Sequence, residues 1–266
     1  MLRWAHGRGY DGRVSAVRER PILFSAPMVR ALLSGAKTQT RRVVKQQPKH
    51  WSHYIMPMWG TSPDGFEFGD KWTWREAGPD YPDSDDDDRL CPHGVPRDRL
   101  WVRETWRTWE RPEDGVDGVL YRADGAFRRI EATREAADDW VVAHDNNKHG
   151  NTWRPSIFMP GWASRITLEI TDVRVERLHD ISAADARSEG VGTGRIPADE
   201  HGPERIGFMF GPDDGCSVLS PTEVGAFKKG WQEINGDESW SANPWVWVIS
   251  FERLVSGDSG HQRLSR

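Results

Sequence analysis

The segment Gly35-Ala36-Lys37-Thr38-Gln39-Thr40-Arg41-Arg42 contains the residue types needed for an amine base and a hydroxyl nucleophile. A threonine hydroxyl attacks a carbonyl only when a neighbouring base takes its proton. A lysine serves as that base only when burial or a nearby cation lowers its pKa. Arg41 and Arg42 are close enough in sequence to supply the cation. Lys37, Arg41 and Arg42 also make a phosphate-holding set, a role that needs no depressed lysine pKa. A lone Lys-x-x-Thr is short and common, and its plain reading is a turn followed by a strand start. The surrounding elements therefore decide its meaning. Glu189 is a second position of interest: it falls in the last turn of an expected helix, where the negative helix end disfavours a carboxylate.

The remaining chemistry-bearing residues are less informative. Of the histidines, His50, His53, His93, His144, His149, His179 and His201 lie mostly in loop-like stretches, and none pairs at metal-ligand spacing on an evident helix. The acidic run Asp83-Ser84-Asp85-Asp86-Asp87-Asp88 lacks the glycine turn and spaced carboxylate of a calcium loop, so it reads as solvated chain. No metal and no cofactor is expected. Cys91 and Cys216 are the 2 cysteines of 266 residues, which points to a reducing compartment rather than a disulfide framework. A formal charge of −5 excludes a broadly basic surface, so contact with nucleic acid would need a local basic site. The 15 tryptophans cluster around Trp101, Trp106 and Trp109, around Trp153 and Trp162, and from Trp231 to Trp247. Most are expected to pack, with one or two available to stack on a base. Neither an export signal nor an apolar run long enough to span a membrane is apparent, so a cytoplasmic protein is expected.

The elements around these residues follow from periodicity. Residues 1–20 read as a flexible basic tail and 255–266 as a polar one, leaving 21–254 as one domain. Pro21–Phe24 is a short strand. Ser25 then caps a helix with Met28, Leu32 and Leu33 at helical spacing, and Gly35 stops it in a left-handed cap. Thr40–Val44 reads as a strand, Leu100–Trp106 as another after the Pro96-Arg97-Asp98 turn, and Gly118–Arg122 as a third. Ile166, Leu168 and Ile170 alternate on one strand face that Val173 and Val175 continue. A helix is expected over Glu131–Ala143. Another runs from the Ser182/Asp185 cap to Gly190, and a third over Pro221–Ile234 places Phe227, Trp231 and Ile234 on a common face. Trp245–Phe251, apolar on both faces, is a buried strand. Stretches at about 45–97, 110–152 and 192–220 read as insertions. Strands with a few short helices and no regular βαβ alternation make an α+β, mostly β chain, and favour a small β-barrel.

Three segments together resemble the ASCH domain family, in particular its long phage and prophage form: Leu33–Arg41, Asp98–Glu104 and Pro244–Phe251. The similarity covers about residues 21–44, 98–106, 153–191 and 229–254. Arg97 stands where the family usually has glycine before aspartate. The resemblance implies a PUA-like β-barrel with short flanking helices and a cleft beside Lys37. Members are regarded as RNA-binding or nucleotide-related, and one bacterial branch hydrolyses the amide of N4-acetylcytidine with a Lys, Thr and Glu set. These fall on Lys37, Thr40 and Glu189, with Gly35, Arg41, Arg42, Trp101, Arg103 and Glu104 as substrate contacts. The expected function is therefore that of an amidohydrolase acting on an N4-acylated cytidine. The alternatives are a non-catalytic binder of RNA or single-stranded nucleic acid and an ASCH-type ribonuclease. The expected partner is a modified nucleoside, a nucleotide or a single strand, and no membrane.

Overall fold

Alternation along the last strand sets the architecture, because its even and odd residues feed two different cores. The computed structural model describes residues 17–47, 52–58, 71–76, 87–131, 133–146, 152–196, 198, 203–211 and 219–254. The chain runs β1 (Glu19–Leu23), α1 (Ala26–Leu33) and β2 (Gln39–Val43), then β3 (Ser52–Met58), β4 (Lys71–Glu76) and β5 (Asp87–Leu90). Next come β6 (Arg99–Arg103), β7 (Trp106–Arg111), β8 (Val116–Tyr121), β9 (Phe127–Arg129) and α2 (Arg134–Asn146). It closes with β10 (Thr167–Arg177), α3 (Ala183–Ser188), β11 (Val191–Ile196), β12 (Arg205–Phe210), α4 (Glu223–Asn235) and β13 (Trp245–Leu254). No helix among the described residues is long and apolar enough to cross a membrane.

The central sheet has five strands in the order β1-β6-β10-β13-β2, with β1 parallel to β6 and the other pairs antiparallel. On β13, Trp245, Trp247, Ile249 and Phe251 enter one core with Ile22, Phe24, Val29, Leu32, Leu100, Val102 and Leu168. Val246 and Val248 face the other way, onto Leu178, Ile181, Ala186, Phe227 and Trp231. A strand with apolar residues on both faces is buried on both faces, as its sequence requires.

The fold is mixed α+β and mostly strand, but the expected barrel is not closed among the described residues. β1 and β2 are the two edges of the sheet, and α1 links them without a ladder between them. Side chains bridge the gap instead: the Arg42 guanidinium donates to the Leu23 carbonyl at 2.6 Å and lies 5.1 Å from the Phe24 ring centroid.

Several boundaries differ from those read in the sequence. The first strand begins at Glu19 rather than Pro21, because the parallel pairing with β6 recruits Glu19 and Arg20. The strand expected over Leu100–Trp106 is two strands, β6 and β7, assigned to different sheets. The stretch 45–97 carries its own three-stranded antiparallel sheet, β3-β4-β5, and 192–220 carries most of the β11–β12 hairpin. Both were expected as loops, since glycine and charged residues obscure their alternation. Within the acidic run, Asp87 and Asp88 open β5, and residues 83–86 lie outside the described residues, as do His50, His149, His201, Cys216 and the tails 1–16 and 255–266. Ile234 does not share the buried face of Phe227 and Trp231; it is exposed near the end of α4.

Arg97 is a sequence signal with a backbone consequence. Its φ is +80°, a conformation that costs an L side chain about 1 kcal/mol and that glycine adopts freely. The turn is retained because it is tied on both sides. Arg97 N–H donates to the Ile170 carbonyl at 2.8 Å, and the buried Asp98 accepts from the Arg18 N–H at 3.0 Å.

Candidate functional site

Lys37 comes to its position because α1 must stop. Ser34 and Gly35 close the helix, with Gly35 at φ +78°, and the Lys37 N–H donates back to the Ala31 carbonyl at 3.0 Å. The chain then pairs once with the end of α3, where Lys37 and Glu189 form an isolated antiparallel bridge and the Thr38 N–H donates to the Ser188 carbonyl at 2.8 Å. α3 is short and held by a complete capping box in which Ser182 and Asp185 satisfy each other's backbone N–H. Glu189 is its C-cap residue, and Gly190 follows at φ +99°. A Cβ on Gly190 would sit 2.9 Å from Ala31 Cβ and 3.3 Å from Lys37 Cβ, so only glycine lets α3 approach this closely.

The three residues that the resemblance singles out are all buried: Lys37 is 2% exposed, Thr40 1% and Glu189 2%. Lys37 Nζ donates to both the Oε2 and the backbone carbonyl of Glu189, each at 2.8 Å. The other carboxylate oxygen accepts from Arg41 NH1 at 3.1 Å. The aromatic rings of Phe24 and Phe210 flank the ammonium, with centroids 5.5 and 5.9 Å away. Burial pushes the Lys37 pKa below the ordinary amine value. Glu189 pulls the other way, while Arg42 and Arg41 add to the depression.

Alternation on β2 divides its side chains. Thr40 pairs with Ile249 and Arg42 with Trp247, so both face the first core, where Phe24 also lies. Gln39 and Arg41 face the second. Arg41 is opposite Val248, which in turn is opposite Arg174 on β10, so the guanidinium reaches across a buried valine toward β10. There it pairs with Glu176 and approaches Asp185 at 3.6 Å. Arg174 donates to Asp185 at 2.8 Å and to Glu176 at 3.3 Å, and Gln39 donates to Asp185 at 3.2 Å. Lys37, Arg41 and Arg174 are thus matched by Glu189, Glu176 and Asp185. Burial works to raise the Asp185 pKa, but hydrogen bonds from Ser182 and Gln39 and the charge of Arg41 outweigh it and hold the carboxyl down to about 2.

Against this satisfied network, Thr40 Oγ1 is buried and makes no hydrogen bond among the described residues; Arg41 Nε is in the same state. Buried hydroxyls nearly always find a partner, since leaving one unpaired costs about 1–3 kcal/mol. Packing alone gives no reason to keep a hydroxyl here. Lys37 Nζ uses two N–H groups on Glu189; its third position is an N–H in the ammonium and a lone pair in the neutral amine.

The second segment behaves differently. Glu104 is 1% exposed and engaged by Arg165 through two bonds of 2.8 and 2.9 Å. Arg165 also holds Asp124 and lies 4.0 Å from the Tyr121 ring centroid. Every strong bond of this carboxylate is internal, which suits a buried brace between β6 and the turn after β8. Trp101 and Arg103 stack on each other at 4.6 Å on the half-exposed face of β6. Burial pushes the Cys91 thiol up to about 11, an unreactive state.

Sequence reasoning missed Gln39, Glu176, Asp185 and Arg174, and also the Phe24 and Phe210 rings. Gln39 had a usable signal, being two residues from Arg41 on one strand. Asp185 was assigned only to the helix cap, which it also serves. Glu176 and Phe210 had none, because both are brought in by pairing across long sequence distances. Comparison of the chain with family models, with curated proteins and with solved structures returns no match.

Proposed function

We propose that the protein is a nucleoside-directed amidohydrolase of the ASCH type, its sheet a PUA-like fold opened between β1 and β2, and that it removes the acyl group from an N4-acylated cytidine. The observation that carries this reading is an unpartnered, buried Thr40 hydroxyl three residues along the chain from a buried lysine whose pKa is pushed down. Thr40 Oγ attacks the acyl carbon while its proton passes to neutral Lys37. As the C–N bond breaks, Lys37 returns that proton to the leaving exocyclic amine. Water then attacks the acyl-threonine ester with Lys37 again as base, releasing the carboxylic acid and restoring the hydroxyl. Glu189, held by Arg41, orients the lysine. Phe24 and Phe210 offer the aromatic walls that suit a base.

The test is incubation with N4-acetylcytidine, its deoxy form and a single-stranded RNA, with products identified by mass spectrometry. The reading expects cytidine or deoxycytidine to appear with wild type and to be absent with Lys37→Ala and Thr40→Ala variants that retain their circular dichroism. Intact acylated nucleosides after prolonged incubation, or shortened RNA as the sole product, would overturn it.

A further inference from the structure

From Leu100 to Thr108 the burial alternates without a break across the junction of β6 and β7: Leu100, Val102, Glu104, Trp106 and Thr108 are buried, and the residues between them are half-exposed. The half-exposed set interleaves aromatic and cationic side chains. Arg103 lies over the Trp101 ring at 4.6 Å, and Arg107 lies between Trp109 and Trp153, 4.4 and 4.8 Å from their centroids. Arg154 forms a single antiparallel bridge with Trp106, and Ser156–Phe158 follow as a short 3-10 turn. Trp106 and Arg154 exchange both backbone bonds, and Arg103 donates to the Ile157 carbonyl at 3.3 Å. That neighbour adds Phe158, which is 61% exposed. α2 takes the opposite face of β7, where His144 meets Thr108 at 3.2 Å, and among the described residues the Arg and Trp face stays partly exposed.

Neither Arg103 nor Arg107 has a carboxylate partner among the described residues, and the Nε of each is buried without a hydrogen bond, which leaves the terminal nitrogens as the outward edge. On a chain of formal charge −5, a stripe of arginines held flat against indoles and unpaired with acids is a local cationic site. The polymer that matches alternating aromatic planes and cations is one with exposed bases and a phosphate at each repeat. A duplex hides its base faces, and an acidic peptide offers no planes to stack.

We infer that the face formed by Trp101, Arg103, Arg107, Trp109, Trp153 and Phe158 is a docking track for single-stranded nucleic acid, separate from the Lys37 site. The arginine edges take phosphates and the rings take bases. Arg103 to Trp109 spans at most about 20 Å of extended chain, which suits a run of about four nucleotides. Arg107, within 5 Å of two indole centroids, is the residue on which the track depends most.

Fluorescence anisotropy of a labelled single-stranded oligonucleotide, titrated with the full chain at several salt concentrations, tests the inference. Wild type should bind the single strand more tightly than the same sequence as a duplex. Trp109→Ala and Trp153→Ala should each weaken binding roughly five- to hundredfold. Arg107→Gln should reduce the slope of log affinity against log salt by about 0.7. The inference is overturned if the single strand does not bind, if the duplex binds as well, or if Arg107→Gln and both tryptophan variants bind like wild type.

Discussion

Replacing Thr40 by valine should make the protein more stable and inactive at once. Thr40 is 1% exposed, its hydroxyl has no partner among the described residues, and it pairs with Ile249 on an interior face. Valine keeps the shape and the β-branched preference for a strand, and it exchanges the orphaned hydroxyl for a methyl group. Removing an unpaired buried hydroxyl recovers part of a desolvation cost of about 1–3 kcal/mol, so Thr40→Val should gain about 1–2 kcal/mol. For a domain of this size that is a rise in Tm of roughly 2–6 °C. The same change removes the proposed nucleophile, and release of cytidine from N4-acetylcytidine should fall on the order of 10³-fold or more. Thr40→Ser, which restores the hydroxyl without the methyl, should recover measurable turnover at lower stability than wild type. Calorimetry and product quantification on the same preparations read both effects. A Thr40→Val protein that melts below wild type would mean the hydroxyl is structurally engaged, and one that still turns over would remove Thr40 from the chemistry.

Three further outcomes follow from the geometry. Glu189→Gln leaves Lys37 and Arg41 without their shared carboxylate and should cost about 3–5 kcal/mol in denaturant unfolding; a cost below about 1 kcal/mol would show the network to be dispensable. Arg97→Gly should stabilise by about 1 kcal/mol, because φ is +80° there; destabilisation would point to a packing role for the arginine side chain. The Asp185 carboxyl is held down to about 2 in the fold, so its stabilisation is fully present above its unfolded value of 3.8 and is lost as pH falls from about 4 toward 2. That loss is about 2 kcal/mol after allowance for partial exposure, and an Asp185→Asn variant should show a flatter acid limb in chemical unfolding across that window; an unchanged limb would refute the assignment.

The parts of this molecule that could be read from sequence are those governed by local rules. The stop of α1 at Gly35, the Ser182/Asp185 capping box of α3 and the two-faced burial of Trp245–Phe251 each follow from residue chemistry within a few positions, and each is found. Position Glu189 was marked by its unfavourable place at a helix end; the Lys37 and Arg41 side chains supply the compensation. What escaped depends on pairing between distant segments. Glu176 reaches Arg41 only because β10 and β2 flank β13, and nothing near Glu176 in sequence announces it. The split of β6 from β7 was hidden because the alternation of buried residues continues through the junction at Glu104 and Thr105. The Arg103 and Arg107 stripe was equally hidden, since tryptophan clusters read as core until alternation shows which ones face outward.

The central claim is that Thr40 carries the acyl group during turnover, and acid quenching tests it most directly. Wild-type protein mixed with N4-acetylcytidine, stopped in acid within the first turnovers and mapped by peptide mass spectrometry, should carry one acetyl group on Thr40. Thr40→Val should carry none. Release of cytidine by wild type with no acetyl on Thr40, or with the acetyl on another residue, would contradict the account.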